Sequence, residues 1–341
     1  MLVIKVPLEK AQEVKEFLTD ANLFDKQYKV ETDSSYIYIP INEEFSTEYE
    51  LVDKDLEKYE KEDPFKEKLK SLLTGKELEK VKTAFDMVGD IAILEIDDIL
   101  RQKEKQIAQA LLESHKTIKT VVRKHGPHHG TFRTQDVIVL AGEDKKETIH
   151  KENKVRLKLD IEKVYYSPRL STERKRITQQ IKPNESILVM FSGNAPYVCV
   201  FAKNTEAKEV YGIEINPDGH KYGLENIKLN KLTNAQLFNG DVREIIPTLG
   251  KKFDRIVMPL PKSYTEFLDT AFLCAKPTTI IHLYAFSEED KFDDTLAKTE
   301  TLTKKLGWKF KLLNFTKCGQ LAPKTYRICI DFQISKYTKS N

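Results

Sequence analysis

No stretch of the 341-residue sequence approaches the roughly 20 consecutive apolar residues that a membrane-spanning helix needs. The opening Met-Leu-Val-Ile-Lys-Val has neither a basic leader nor a small-residue cleavage site, so the expectation is a cytoplasmic chain with no membrane partner. Cysteine is scarce: Cys199, Cys274, Cys318 and Cys329 lie far apart, without a CxxC pair. That spacing speaks against the common zinc and redox motifs and leaves buried, reduced thiols, so no metal is expected. Coiled-coil heptads, internal repeats and low-complexity tracts are missing too, which makes a monomer the expectation. The chain also lacks GxGxxG, which removes the usual dinucleotide-binding fingerprint.

What is present begins with unevenly distributed charge. Behind a net +3, residues 1–54 carry 6 Lys and Arg against 12 Asp and Glu, whereas residues 101–182 carry 20 against 10. Such a basic middle attracts a polyanion such as nucleic acid; it equally suits a lysine-rich solvated surface in a protein from a hot environment. Residues 1–54 read as a small α+β unit, with strands at Leu2–Val6, Tyr28–Glu31 and Tyr36–Ile41 and a helix from Leu8 to Leu18. Residues 55–82 are charged and poorly periodic and read as a linker with a helix. Residues 83–163 read as a basic α+β unit. It has a buried strand in DMVGDIAILEI, a helix at Arg101–Ser114, and strands at Ile118–Val122, Gly130–Phe132, Asp136–Leu140, Glu147–Lys151 and Val155–Asp160 that finish its sheet.

From 164 to 341, strands and helices alternate. Strands fall at Ile187–Met190, Val210–Ile215, Asp254–Met258 and Thr279–Tyr284, helices at Ser263–Cys274 and Lys291–Lys305, and a last pair, Trp308–Asn314 and Arg327–Ile334, is joined by a loop. This order predicts an α/β fold whose sheet is mostly parallel with an antiparallel edge. Its most informative stretch is residues 186–241, which reads strand, glycine turn, helix, acid-ended strand, helix, strand, Asp. Gly193 lets a ligand approach the backbone, and Glu214, about 20 residues later, ends the next strand where a carboxylate accepts from a ribose diol. One glycine in place of three suits a ligand smaller than a dinucleotide, such as S-adenosylmethionine. Its amino-acid end would lie at Phe191–Pro196, its ribose at Glu214 and its adenine N6 at Asp241.

Upstream, VYYSPRLSTERKRI interleaves Tyr165 and Tyr166 with Arg169, Arg174, Lys175 and Arg176, groups that stack bases and hold phosphates. Read locally, it is a helix start with Ser171 and Thr172 as caps. Together with HHGTFR and VLAGE before it and FSGNAPY, EINP, GDVRE and MPLPK after it, this segment resembles the archaeal and eukaryotic tRNA (guanine-37-N1)-methyltransferase family over residues 85–334. Residues 1–54 resemble that family's first domain. The resemblance implies a C-terminal class I, Rossmann-like methyltransferase domain that uses S-adenosylmethionine, after two smaller domains that hold the anticodon loop and elbow of tRNA. It implies Arg133 on the target guanine, Glu173 as general base and Tyr165 beside the cofactor. To the cofactor we further assign Arg169, Phe191, Gly193, Pro196, Glu214, Asp241, Val242 and Met258. To the substrate, besides Arg133, we assign Tyr166, Arg174, Pro259, Pro261 and Lys262.

Methylation of guanine N1 requires its proton to leave and the charge gathering on O6 to be stabilised, tasks for a carboxylate and an arginine. MPLPK departs from the family pattern: Pro259 stands where relatives carry an Asn that reads a base edge. Proline offers neither an N–H nor a polar side chain, so other groups, or the carbonyls of Met258 and Pro259, must recognise the base. C7 methylation of the wyosine precursor 4-demethylwyosine (alone or in addition), aminocarboxypropyl transfer, and a non-catalytic tRNA-binding role therefore stay open. HGPHH, with His125, His128 and His129, lacks an acid or Cys at ligand spacing and reads as a loop, while His150 and His282 read as structural.

Overall fold

The computed structural model describes residues 1–58 and 63–337, the side chains of 127–129 excepted. The side chains of His128 and His129, and residues 59–62 of the expected linker, thus lie outside what the structure describes. Contacts divide the chain into two units, Met1–Glu67 and Lys68–Asn341. In the first, Leu2–Pro7 (β1), Glu31–Thr32 (β2), Tyr36–Pro40 (β3) and Glu50–Asp53 (β4) make an antiparallel sheet in the order β2-β3-β1-β4. Ala11–Asp20 (α1) lays Val14 and Leu18, four residues apart on one helical face, against Ile4, Val6, Ile37 and Ile39. The strand expected at Tyr28–Glu31 shrinks to Glu31–Thr32, and Tyr28 forms a single bridge with Lys58. β4 was not anticipated, because four half-exposed residues carry too little pattern.

The segment expected as linker contains Pro64–Leu72 (α2) and Gly75–Leu78 (α3), the latter opened by a Thr74–Glu77 capping box. The second unit continues with a sheet of Asp86–Val88 (β5), Ile91–Leu94 (β6), Thr120–His129 (β7) and Thr134–Gly142 (β8), in that order, covered by Glu104–Ser114 (α4). Residues 130–132 are the turn between β7 and β8, not a strand, and the chain reverses there through Gly130 (φ 66°) and Arg133 (φ 54°). Glu147–Glu152 (β9) and Val155–Asp160 (β10) do not extend this sheet; they pair as a separate hairpin.

Ser171–Thr178 (α5) leads into seven strands: Ser186–Met190 (β11), Glu209–Glu214 (β12), Ala235–Asn239 (β13), Phe253–Met258 (β14), Ala275–Glu288 (β15), Trp308–Ala322 (β16) and Thr325–Lys336 (β17). The helices between them are Pro196–Asn204 (α6), Pro217–Leu229 (α7), Val242–Thr248 (α8), Leu268–Leu273 (α9) and Phe292–Lys305 (α10). The order is β13-β12-β11-β14-β15-β17-β16, parallel except for β17, which runs antiparallel to both neighbours. All of β11 is buried, as a central parallel strand must be. Its period-two alternation sends Leu188 and Met190 into one core and Ile187 and Val189 into the other, one on each face of the sheet. β16 and β17 extend well beyond the expected pair, leaving Pro323 and Lys324 between them. The lysines and threonines of this exposed edge had masked the strand signal. Strand order reverses between β11 and β14, the switch point at which ligands bind in open α/β sheets.

Candidate active site

The site depends on how the β9–β10 hairpin is held. β10 offers the N–H and C=O of Arg156 and Lys158, two residues and roughly 7 Å apart along one edge. Asn226 of α7 and Asn230, which caps its C-terminus, stand one turn apart, about 6 Å, on one face. Each amide closes on one of those residues. Asn226 accepts from Lys158 N–H at 2.6 Å and donates to its carbonyl at 3.0 Å; Asn230 makes the same pair with Arg156 at 2.8 and 2.7 Å. Asn226 also donates to the Asn194 carbonyl at 2.9 Å. On the hairpin's other side, Gly89 N–H donates to His150 Nδ1 at 3.1 Å. A Cβ on Gly89 would lie 2.1 Å from Thr148 Oγ1, so glycine is required there. The hairpin therefore splints the four-stranded sheet to the seven-stranded one. Just beyond it come Tyr165 and Tyr166, and the β7–β8 turn sets the Arg133 guanidinium 5.9 Å from the Tyr165 ring centroid.

A cavity of about 230 Å³ opens at the carboxyl ends of the parallel strands. The loop after β11 passes through three left-handed residues, Phe191 (φ 57°), Gly193 (φ 58°) and Ala195 (φ 67°). At Phe191 and Ala195 this costs roughly 1–2 kcal/mol each, strain of the kind that collects at ligand sites. Gly193 is required for its torsion rather than for space, since a Cβ there would meet only the Tyr165 carbonyl at 3.7 Å. Glu214 accepts from Gly193 N–H at 2.6 Å and from Asn216 N–H at 2.7 Å. Burial raises its carboxyl pKa while these N–H groups pull against it, and each oxygen keeps a lone pair for a hydroxyl. Asp241 accepts the Arg243 N–H at 2.9 Å as the cap of α8 and pairs with the Arg243 guanidinium, whose hydrogen bond lowers the Asp241 pKa. Arg243 covers the Phe267 ring, which packs edge-on to Phe191 at 4.9 Å. One buried atom of a residue on this wall, Arg327 Nε, has no hydrogen-bond partner among the described residues. Buried polar atoms are otherwise almost always paired, so this one fits a polar ligand.

Behind the cavity runs a buried chain of polar groups. Glu173 accepts from Arg176 Nε at 2.7 Å and Nη2 at 2.8 Å, and from the Tyr284 hydroxyl at 2.6 Å; Tyr197 in turn donates to Tyr284 at 3.1 Å. Arg176 also pairs with Asp331, which contacts His282 Nδ1 at 2.6 Å, and Arg255 meets His282 Nε2 at 2.6 Å. A guanidinium only donates, so Nε2 is the acceptor and the His282 proton sits on Nδ1 facing Asp331. Burial lowers the His282 pKa and keeps the ring neutral. Burial works to raise the Asp331 pKa, but hydrogen bonds from His282 and Arg176 overcome it and hold the carboxyl well below its usual range. His282, Cys329 and Asp331 place three ligand-type atoms within 4.8 Å of one another. The two guanidiniums packed on them make this an ion-pair network rather than a cation site.

Of the residues selected from sequence, Arg133, Tyr165, Tyr166, Phe191, Gly193 and Pro196 meet at this one cavity, and so do Glu214, Asp241, Val242, Pro259 and Pro261. Arg174 also touches it, but its guanidinium is wholly buried and paired with Glu152, which leaves it a structural cation. Four residues are placed elsewhere. Glu173 reaches the wall only through Tyr284, Arg169 pairs with Asp86 at 2.7 Å beside the four-stranded sheet, Met258 is core, and Lys262 is exposed. Ser171 and Thr172 lie inside α5, which continues from a 3-10 turn at Pro168–Leu170, and neither caps it. Tyr197, Phe267, Tyr284 and Arg327 line the cavity unanticipated, because an aromatic in an apolar run reads as core and a lone Arg as surface.

Seven strands in this order, a strained loop after the first parallel strand and acids after the next two define a class I methyltransferase fold. Residues 148–312 match the TRM5/TYW2 methyltransferase domain, 65–145 the TYW2 N-terminal domain and 4–50 the tRNA methyltransferase 5 N-terminal domain. The chain is 38% identical over 337 residues to the tRNA (guanine(37)-N(1))-methyltransferase Trm5b of Pyrococcus abyssi, covering 98% of this chain and 99% of that one. The crystal structure of P. abyssi Trm5b superposes with a TM-score of 0.74 at 37% identity over 98% and 99% of the two chains. An aTrm5 structure in complex with tRNALeu gives a TM-score of 0.69 at 30% identity, covering 98% and 99%. The tRNA (guanine(37)-N(1))/4-demethylwyosine(37)-methyltransferase Taw22 of Nanoarchaeum equitans is 30% identical, over 74% of this chain and 99% of its own. This chain belongs to the TRM5/TYW2 methyltransferase family.

Proposed function

We propose that the protein transfers a methyl group from S-adenosylmethionine to N1 of guanosine 37 in tRNA. The observation that carries this reading is one cavity that joins a nucleoside-type pocket, with Glu214 and Asp241, to the cation Arg133 and to Tyr284, whose hydroxyl is bonded to the carboxylate of Glu173 behind the wall. Phe191–Pro196 would hold the cofactor's amino-acid end, Glu214 its ribose and Asp241 its adenine. When bound, the cofactor supplies an electrophilic methyl carbon; positioning, deprotonation and charge stabilisation fall to the chain. Arg133 stabilises charge on O6, Glu173 is the final acceptor of the N1 proton, and Tyr165 and Tyr166 border the base. Residues 1–54 would dock at the tRNA elbow and basic residues 83–163 on phosphates, while 164–341 carry out transfer, in a cytoplasmic monomer. Among the described residues no helix is long and apolar enough to cross a membrane.

The test incubates the enzyme with labelled cofactor and tRNA transcripts bearing guanosine or adenosine at position 37, followed by nucleoside mass spectrometry. Label as 1-methylguanosine in the first alone is expected, and equal labelling of both would refute the assignment. A second reading, C7 methylation of 4-demethylwyosine, is favoured by one observation: Pro259 presents no polar side chain to the cavity. Product confined to precursor-bearing tRNA would select it.

A further inference from the structure

Resting on the N1-methylation reading, we propose that Tyr284 relays the guanine N1 proton to Glu173. Glu173 is absent from the cavity wall, whereas Tyr284 and Tyr197 are both part of it. A carboxylate only accepts, so Tyr284 must donate its hydroxyl proton to Glu173 Oε1 across 2.6 Å. Its oxygen is thereby left as an acceptor, and Tyr197 fills one lone pair from 3.1 Å. The remaining lone pair is what a base N–H on the cavity side would meet. Both phenols have pKa values pushed up by burial, so each stays a neutral hydroxyl, suited to passing a proton rather than holding a charge.

The step balances. The N1–H bond breaks as a proton goes to Tyr284 Oη, the Tyr284 O–H proton goes to Glu173, and the N1 electron pair forms the bond to the methyl carbon. The carbon–sulfur bond breaks with its electrons on sulfur, leaving a neutral thioether. Tyr197 steadies the negative charge that develops on Tyr284 Oη during the exchange. Arg176 splits its guanidinium between Glu173 and Asp331, so it keeps a counter-ion once Glu173 is neutral. The path from cavity to base is thus Tyr284 to Glu173, with Tyr197 donating to Tyr284 from the side.

The experiment measures single-turnover 1-methylguanosine formation on guanosine-37 transcript by wild type, Tyr284→Phe and Tyr197→Phe from pH 6 to 9, with S-adenosylhomocysteine affinity measured by calorimetry. Tyr284→Phe should be slower by about 10²–10³-fold near neutral pH, with cofactor-product affinity unchanged. Its deficit should narrow as rising pH ionises N1 without help. Tyr197→Phe should lose less, about 10-fold, with the same narrowing; it decides the matter alone if Tyr284→Phe fails to bind the cofactor product. A deficit that is absent, or constant across pH, overturns the relay while methyl transfer itself stands. No 1-methylguanosine from wild type overturns the functional reading beneath it.

Discussion

Replacement of Asn226 tests the idea that the hairpin is splinted by side chains rather than by sheet pairing. In Asn226→Ala, the buried Lys158 N–H loses its acceptor, the Asn194 carbonyl loses its donor, and the Lys158 carbonyl keeps only a long contact of 3.4 Å from Asn194 Nδ2. Each orphaned buried group costs about 1–3 kcal/mol, so the two together should cost the variant about 2–6 kcal/mol, a large part of the roughly 5–15 kcal/mol available to a domain. Asn194 follows Gly193 in the cofactor loop, so S-adenosylmethionine affinity should also fall, by roughly tenfold or about 1.4 kcal/mol. Asn226→Asp sharpens the test, because a carboxylate still accepts from Lys158 N–H but turns only lone pairs toward two carbonyls. Its folded pKa must then lie above the unfolded value of about 3.9, so its stability, best in acid, is lost as pH rises through the folded pKa. Denaturant midpoints at pH 5 and pH 7.5 and calorimetric titration read both effects. An Asn226→Ala loss below about 0.5 kcal/mol would refute the splint.

Further outcomes follow from the same geometry. Arg133→Ala should slow transfer by about 10²–10³-fold at saturating cofactor with cofactor affinity unchanged, since a donor to developing O6 charge acts in the transition state; weakened cofactor binding in calorimetry would contradict this. Glu214→Gln keeps one acceptor but turns an NH₂ toward a backbone N–H, so cofactor affinity should drop about 10–100-fold, and an unchanged Kd would remove Glu214 from the site. His282 is held neutral, so below about pH 6.5 the unfolded chain binds a proton that the folded chain does not, and stability falls as pH drops. Urea titrations from pH 7 to 5 should show this loss reduced in His282→Gln by up to about 1.4 kcal/mol per pH unit; identical slopes would show that His282 titrates normally in the fold.

Legibility from sequence followed chain distance. β11, its glycine turn, α6 and the Glu214 strand were read nearly in place because their signals are contiguous: a fully apolar run, a turn residue and a period change. The four-residue β4 and the exposed β16–β17 extension escaped, since neither buries enough side chains to write a pattern. The β7–β8 turn reads as a strand in sequence because GTF has strand-like composition, and only the left-handed torsions at Gly130 and Arg133 show the reversal. Asn226 and Asn230 read in sequence as ordinary polar helix residues; their role appears only once β10 lies beside them.

The α/β order and the composition of the cofactor pocket are written in the linear chain, and its resemblance adds the acid and arginine of the proposed reaction. These reside in local strand, turn and helix signals whose geometry is set within a few tens of residues. How those groups reach one another depends on the folded chain. Arg133 of the β7–β8 turn meets Tyr165, which lies beyond the β9–β10 hairpin, and Glu173 meets Tyr284 across 111 residues. Strand register and the packing of α5 on the sheet settle such meetings. No local propensity encodes a hydrogen bond whose partners become neighbours only after the sheet has closed.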